Sequence, residues 1–184
     1  MKRIVLVRHG QSTFNLEHRF SGWSNPDLTD LGRWQAEQVG PRLAAWTFDS
    51  VWSSDLLRAA NTARIAWGEP RIDERLREIN FGELEGMTWP EMPESLRERV
   101  KDFEGFRAPG GESIVDLRDR VHAFLDELPD GTHLAFCHGG VVRVLLAELG
   151  HAEFVRNASI AEITWKPRTL VQVIPGPVRD EPST

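Results

Sequence analysis

Residues 2–7 form a largely β-branched run of strand length whose apolar part, residues 4–7, does not alternate, which predicts a strand covered on both faces near the centre of a sheet. Shorter runs predict strands at residues 50–53, 71–73, 133–137, 161–165 and 170–174, the last two joined as a hairpin around Lys166, Pro167, Arg168 and Thr169. Between these runs the apolar period becomes helical. Thr29 is placed to cap a helix reaching about Ala45, and Asp55 opens one reaching about Trp67. Ser113 and Asp116 have capping-box spacing ahead of residues 114–128, and residues 141–149 form a further helix stopped by Gly150. Strands alternating with helices predict an α/β fold: a three-layer α/β/α sandwich with a mostly parallel central sheet and helices on both faces.

A chain of 184 residues can bury one core, so residues 1–184 read as a single domain. Residues 84–111 contain Pro90, Pro93, Pro109, Gly105, Gly110 and Gly111, which break long regular elements, and are expected to form an excursion over the site. The three prolines and sparse apolar content of residues 175–184 predict a frayed tail.

The formal charge of −6 argues against nucleic acid as a partner, because affinity for phosphate backbones needs a positive surface. A local cluster of arginines can still take a small anion. The basic start and the apolar residues 4–7 are too short for an export signal or a membrane span, so a cytoplasmic location without membrane attachment is expected. Cys137 is the only cysteine, which rules out an internal disulfide and fits a reducing compartment. At the end of an apolar strand it reads as a packed, inert thiol. His18, His122, His133 and His151 lack metal-ligand spacing, so no metal site and no cofactor are expected.

In open α/β sheets ligands gather at the carboxyl ends of the strands. Arg8, His9 and Gly10 follow the first predicted strand, Ser53 to Asp55 and then Arg58 follow the second, and His138, Gly139 and Gly140 follow the strand at 133–137. Glu78 lies on a segment able to fold back over the same edge, with Glu83 and Glu85 as neighbouring alternatives. Such a set suits phosphoryl transfer. Arginine forks neutralise phosphate oxygens, and glycines beside the histidines would let backbone N–H groups and the positive end of the following helix approach the anion. Together these groups can replace a metal ion. His9 is read as the nucleophile, His138 as a charged donor to the phosphoryl oxygens, and Glu78 as the acid for the departing alkoxide and then the base for water.

The blocks LVRHGQSTFN (6–15), SSDLLRAANTA (53–63), Glu78 to Gly86, PGGES (109–113) and CHGG (137–140) closely resemble, in order, the signature of the histidine phosphatase, or phosphoglycerate-mutase-like, superfamily. The resemblance implies phosphorylation of His9, phosphoryl binding by Arg8, Arg58 and His138, proton donation by Glu78 and a phosphate contact from Asn15. It adds Ser21, Gly22 and Gly139 to the pocket. Mutases of this superfamily are usually longer, carry an Arg-His-Tyr-Gly type sequence after the acid, and hold a basic insertion. Here Ile79–Asn80–Phe81–Gly82 stands after the acid, and the excursion offers chiefly Arg97, Arg99, Lys101 and Arg107. The resemblance therefore implies a phosphomonoesterase rather than a cofactor-dependent phosphoglycerate mutase, most like the α-ribazole-5′-phosphate phosphatases of cobalamin assembly. A non-catalytic phosphate-binding module on the same fold is the third reading. The expected partner is a small-molecule phosphate ester, and the expected state a monomer or homodimer. Most of the seven tryptophans are expected as core or helix-packing residues, with Trp23, Trp89, Phe103 and Phe106 as candidate walls of an aromatic pocket.

Overall fold

The computed structural model describes residues 1–102, 104–151 and 154–179. Its elements run β1 (Lys2–Arg8), α1 (Thr13–Leu16), α2 (Asp30–Leu43), β2 (Ser50–Ser53), α3 (Leu57–Ala66), β3 (Arg71–Ile72), α4 (Glu94–Lys101), α5 (Ile114–Glu127), β4 (Gly131–Cys137), α6 (Gly139–Ala147), β5 (Ile160–Trp165) and β6 (Arg168–Ile174). One six-stranded sheet has the order β3-β2-β4-β1-β5-β6. β1 is inside the sheet, as its sequence requires: Ile4 and Leu6 join one apolar cluster and Val5 and Val7 the other, all four fully buried. Side chains of this size contribute roughly 1.5–3 kcal/mol each when buried.

The two clusters are the two interfaces of a three-layer sandwich. α2 and α3 cover one face through Val39, Leu43 and Ala63, while α5 and α6 cover the other through Leu117, Val121, Phe124, Val141 and Leu145. β2, β3, β4 and β1 are mutually parallel, and only β5 runs against them, pairing antiparallel with β1 on one side and β6 on the other. The Thr29 cap forms, with the Gly32 N–H donating to Thr29 Oγ1 at 3.1 Å. The Ser113–Asp116 capping box also forms, in both directions. α3 instead begins at Leu57 without a side-chain cap, because the Asp55 carboxylate is taken by Arg77 Nε at 2.8 Å.

Residues 84–111 are less irregular than their prolines and glycines imply. They contain α4 and bury Leu84, Met92, Phe106 and Ala108. The start of the tail does not fray: the Pro175 carbonyl accepts from Arg42, the Gly176 N–H donates to Ser159 Oγ at 2.9 Å, and Arg179 lies over Trp34. Residues 180–184 lie outside the described residues. Of the tryptophans Trp165 is buried and Trp46 and Trp52 pack against the two apolar clusters, whereas Trp23, Trp67 and Trp89 are exposed. No helix among the described residues is long and apolar enough to cross a membrane.

Candidate active site

The parallel register decides where the chemistry meets. Arg8 pairs with Cys137, so His9 and His138 leave neighbouring strands side by side, and their ring centroids lie 5.1 Å apart. β2 ends level with them, since the Ser54 N–H donates to the Phe136 carbonyl at 3.0 Å, and α3 then brings in Arg58. From β1 the chain crosses over one face and from β4 over the other, so a crevice opens between the strand ends.

The partners of His9 define its tautomer. Nδ1 lies 2.6 Å from the Gly10 carbonyl, which only accepts, so Nδ1 carries the proton. Nε2 then accepts from Arg58 Nε at 3.2 Å, so its lone pair is unprotonated and able to act as a nucleophile. Burial, reinforced by the charges of Arg58 and Arg8, pushes His9 well below the usual histidine value. Protonation removes the reactive lone pair. A downward shift therefore places the acid limb of kcat/KM below the ordinary value of 6.5, and a pH profile with the midpoint above it would contradict this assignment.

Arg58 is fully buried, its Nη1 donating to the Ser24 carbonyl at 2.8 Å and Nη2 to the Gly22 carbonyl at 2.7 Å. Arg8 Nη1 donates to the Val155 carbonyl at 2.6 Å, and its guanidinium lies over Phe154. Burial lowers both arginines to about 10, so both stay charged at neutral pH. Asn15 Oδ1 accepts from the Ser12 N–H and from Asn157 Nδ2, which leaves the Asn15 amide nitrogen as its free donor. Arg8 Nε, Ser21 Oγ and both ring nitrogens of His138 are buried without a hydrogen-bond partner among the described residues. Of these, Arg8 and Ser21 line one cavity, and their orphaned donors suit an anion with several oxygens.

A cavity of about 270 Å³ is lined by Arg8, His9, Asn15, Ser21, Gly22, Arg58, Glu78 and Gly139, which is eight of the nine expected site residues. His138, the ninth, is fully buried beside His9 and does not line it. Nor is it a charged donor here. Burial, then chiefly the charge of Arg58 with smaller effects from Arg120 and Arg8, pushes it well below the histidine range and leaves it neutral.

Glu78 is the carboxylate selected from three. Glu85 accepts from the Trp23 and Ser24 N–H groups and holds the loop that carries Gly22, and neither Glu85 nor Glu83 lines the cavity. Both Glu78 oxygens accept from the Gly140 N–H at 3.0 Å, and Oε1 also accepts from the Ile79 N–H. This corrects the role expected of the glycines. The start of α6 holds the Glu78 carboxylate, and the Gly10 N–H donates to Thr62 Oγ1 instead of facing an anion. Gly10 is required because a Cβ there would stand 2.3 Å from the Gly32 carbonyl oxygen of α2.

A Cβ on Gly140 would meet Glu78 Oε1 at 2.1 Å, the far end of a flexible side chain. Gly140→Ala is therefore expected to fold normally and lose roughly 10- to 100-fold in kcat, the scale of a misplaced catalytic group. A thermal melt beside a turnover assay checks both halves of that statement.

Several residues escaped sequence reasoning. Phe20, Phe81, Ile114, Val100, Phe154, Arg19 and Arg143 line the cavity, and Asn157 orients Asn15. They lie on loops and helix faces with no local pattern of their own. Of the expected aromatic walls only Phe106 contributes: Trp23 donates to the Glu78 carbonyl from outside, Trp89 is exposed elsewhere, and Phe103 lies outside the described residues. Among the described residues no group of three or more His, Cys, Asp or Glu side chains is arranged to hold a metal.

Known proteins resemble this chain in sequence and fold. A 2,3-bisphosphoglycerate-dependent phosphoglycerate mutase of Gloeobacter violaceus is 37% identical over 82% of this chain and 77% of its own. A crystal structure of phosphoglycerate mutase from Thermus thermophilus superposes with a TM-score of 0.86 at 39% identity, covering 94% of this chain and 98% of that one. A mycobacterial glucosyl-3-phosphoglycerate phosphatase complexed with VO3 gives a TM-score of 0.81 at 27% identity, covering 96% and 98%. Residues 4–173 match the histidine phosphatase superfamily (branch 1), and the chain belongs to that family.

Proposed function

We propose that the protein is a metal-independent phosphomonoesterase that moves the phosphoryl group of a small phosphorylated metabolite onto His9 Nε2 and then to water. Its P–O ester bond breaks as the N–P bond forms, and Glu78 supplies the proton to the departing alkoxide. Glu78 then takes a proton from water, whose oxygen displaces phosphate from His9. The carrying observation is the division of the cavity. Beyond Arg8, His9, Asn15, Ser21 and Arg58, the wall is mainly Phe20, Ile79, Phe81, Val100, Phe106 and Ile114. Such a wall suits an apolar or aromatic leaving group. α-Ribazole 5′-phosphate, whose alcohol carries an aromatic base, is one candidate of that class.

The relatives named as phosphoglycerate mutases favour a second reading, transfer between hydroxyls of one phosphoglycerate. The carboxylate of such a substrate calls for cations beyond those that hold the phosphoryl group. Arg97, Arg99, Lys101 and Arg107 do not line the cavity; Arg99 donates to the Arg107 carbonyl, Lys101 pairs with Glu98 and Arg107 with Asp116. Arg19 and Arg143 are the further cations in its wall, and Arg19 is engaged by Glu17, Glu91 and the Gly86 carbonyl. A panel of aryl and alkyl phosphates, α-ribazole 5′-phosphate and labelled phosphoglycerate, assayed with EDTA present, separates the two. Phosphate release with the highest kcat/KM for bulky apolar esters is expected. Isomerisation of phosphoglycerate outpacing every hydrolysis would make the mutase reading the right one.

A further inference from the structure

The acid Glu78 sits on a strip without strand or α-helix, between the short 3-10 turns Glu74–Leu76 and Gly82–Leu84. A proton donor must be held to within a fraction of an ångström, and loops by themselves do not do this. Here the strip is tied to α5 chiefly by one side chain, with Arg75 in the turn before it also paired to Glu127 of α5. Arg120 Nη1 donates to the carbonyls of Arg75 at 2.8 Å and Arg77 at 2.7 Å, and Nη2 donates to the carbonyl of Glu78 itself at 2.8 Å. Its remaining N–H groups go to Glu112, Nε to Oε1 at 2.8 Å and Nη2 to Oε2 at 2.9 Å. All five donors of the guanidinium are used. Glu112 completes the brace, its Oε2 accepting from the Asn80 N–H at 2.8 Å and its own N–H donating to the Asn80 carbonyl at 2.9 Å.

We propose that Arg120, braced by Glu112, is the positioning residue that aims the Glu78 carboxyl at the leaving oxygen. Three backbone carbonyls of one irregular strip face this guanidinium, and only a planar fork meets three carbonyls and a carboxylate together. An ammonium keeps the charge and loses the fork. The side chain is largely buried, and the Trp23 indole N–H donates to the same Glu78 carbonyl at 2.8 Å, so the strip is pinned from both sides. The acid thereby inherits the rigidity of α5, which packs through Leu117, Val121 and Phe124 on the sheet face that carries Ile4 and Leu6.

This inference rests on Glu78 being the acid, and the experiment keeps the two apart. Single-turnover transfer of phosphate to His9 is measured with an alkyl phosphate, whose alkoxide needs the proton, and with p-nitrophenyl phosphate, whose phenolate does not. Hydrolysis of the phosphohistidine does not enter that rate. Arg120→Lys is expected to slow the alkyl ester roughly 10- to 100-fold while changing the aryl ester far less, and to add nothing on a Glu78→Gln background. Glu112→Gln, which keeps size and shape, is expected to show the same bias to a smaller degree, and it stands in if Arg120→Lys fails to fold. Equal slowing of both esters, or a full additional loss on Glu78→Gln, overturns the positioning role. If Glu78→Gln itself shows no bias between the esters, it is the acid assignment that falls.

Discussion

His9→Ala is expected to fold, to bind phosphate, and to release it from p-nitrophenyl phosphate at least about a thousandfold more slowly, the scale seen when a nucleophile is removed. The ring is held by two hydrogen bonds and by its edge-to-face contact with His138, so its loss opens a small void at a strand end and leaves the apolar clusters intact. What disappears is the lone pair on Nε2, and no neighbour replaces it. The His138 ring does not line the cavity, and burial, aided by the charge of Glu78, pushes the Cys137 thiol up, so it stays protonated. Brief incubation of the parent protein with substrate should leave protein-bound phosphate that survives alkali and is lost in acid, as phosphohistidine is. Residual turnover close to the parent rate, or bound phosphate persisting in His9→Ala, would remove His9 from the reaction.

The second large effect is expected at Arg58, and it has two parts. Arg58→Met is similar in bulk but loses a charged donor to the transferring group, which is worth roughly 10²- to 10³-fold in kcat/KM. It also removes the strongest nearby charge acting on His9. Arg58 follows burial as the main reason His9 sits low, so without it His9 rises toward the ordinary value and the acid limb of the pH profile moves upward. Arg58→Lys keeps a charge but cannot reach His9 Nε2 and the Gly22 and Ser24 carbonyls together, so most of the loss should remain. Both effects are read from kcat/KM measured across pH. An unmoved acid limb in Arg58→Met would mean that burial and Arg8 control His9 without Arg58.

On the proposed chemistry the phosphoryl end of the cavity does not separate hydrolysis from mutase action, because both would pass the phosphoryl group through His9. Discrimination falls to the wall that receives the rest of the substrate. Phe20 and Phe81 meet edge to face with ring centroids 5.1 Å apart, and Phe81 packs in turn toward Phe106, which makes one aromatic side for that chamber. These side chains come from three loop segments, and none belongs to the blocks that carry the family resemblance apart from Phe81.

Much of the architecture was legible before any coordinates. The apolar run of β1, the Thr29 cap, the Ser113–Asp116 box and the hairpin of β5 and β6 are local patterns, and local patterns record the period and burial of the element they form. The family blocks likewise named Arg8, His9, Arg58 and Glu78 as residues of one cavity. Tertiary structure alone decided the rest. The register of β1 on β4 set His9 beside His138, and packing buried His138 deeply enough to keep it neutral. It turned the Gly140 N–H toward Glu78 and the Gly10 N–H toward Thr62, and it tied the acid's strip to Arg120 from 42 positions away. Those outcomes depend on distances between segments far apart in the chain and on the field and dehydration they create together, which no window of residues carries.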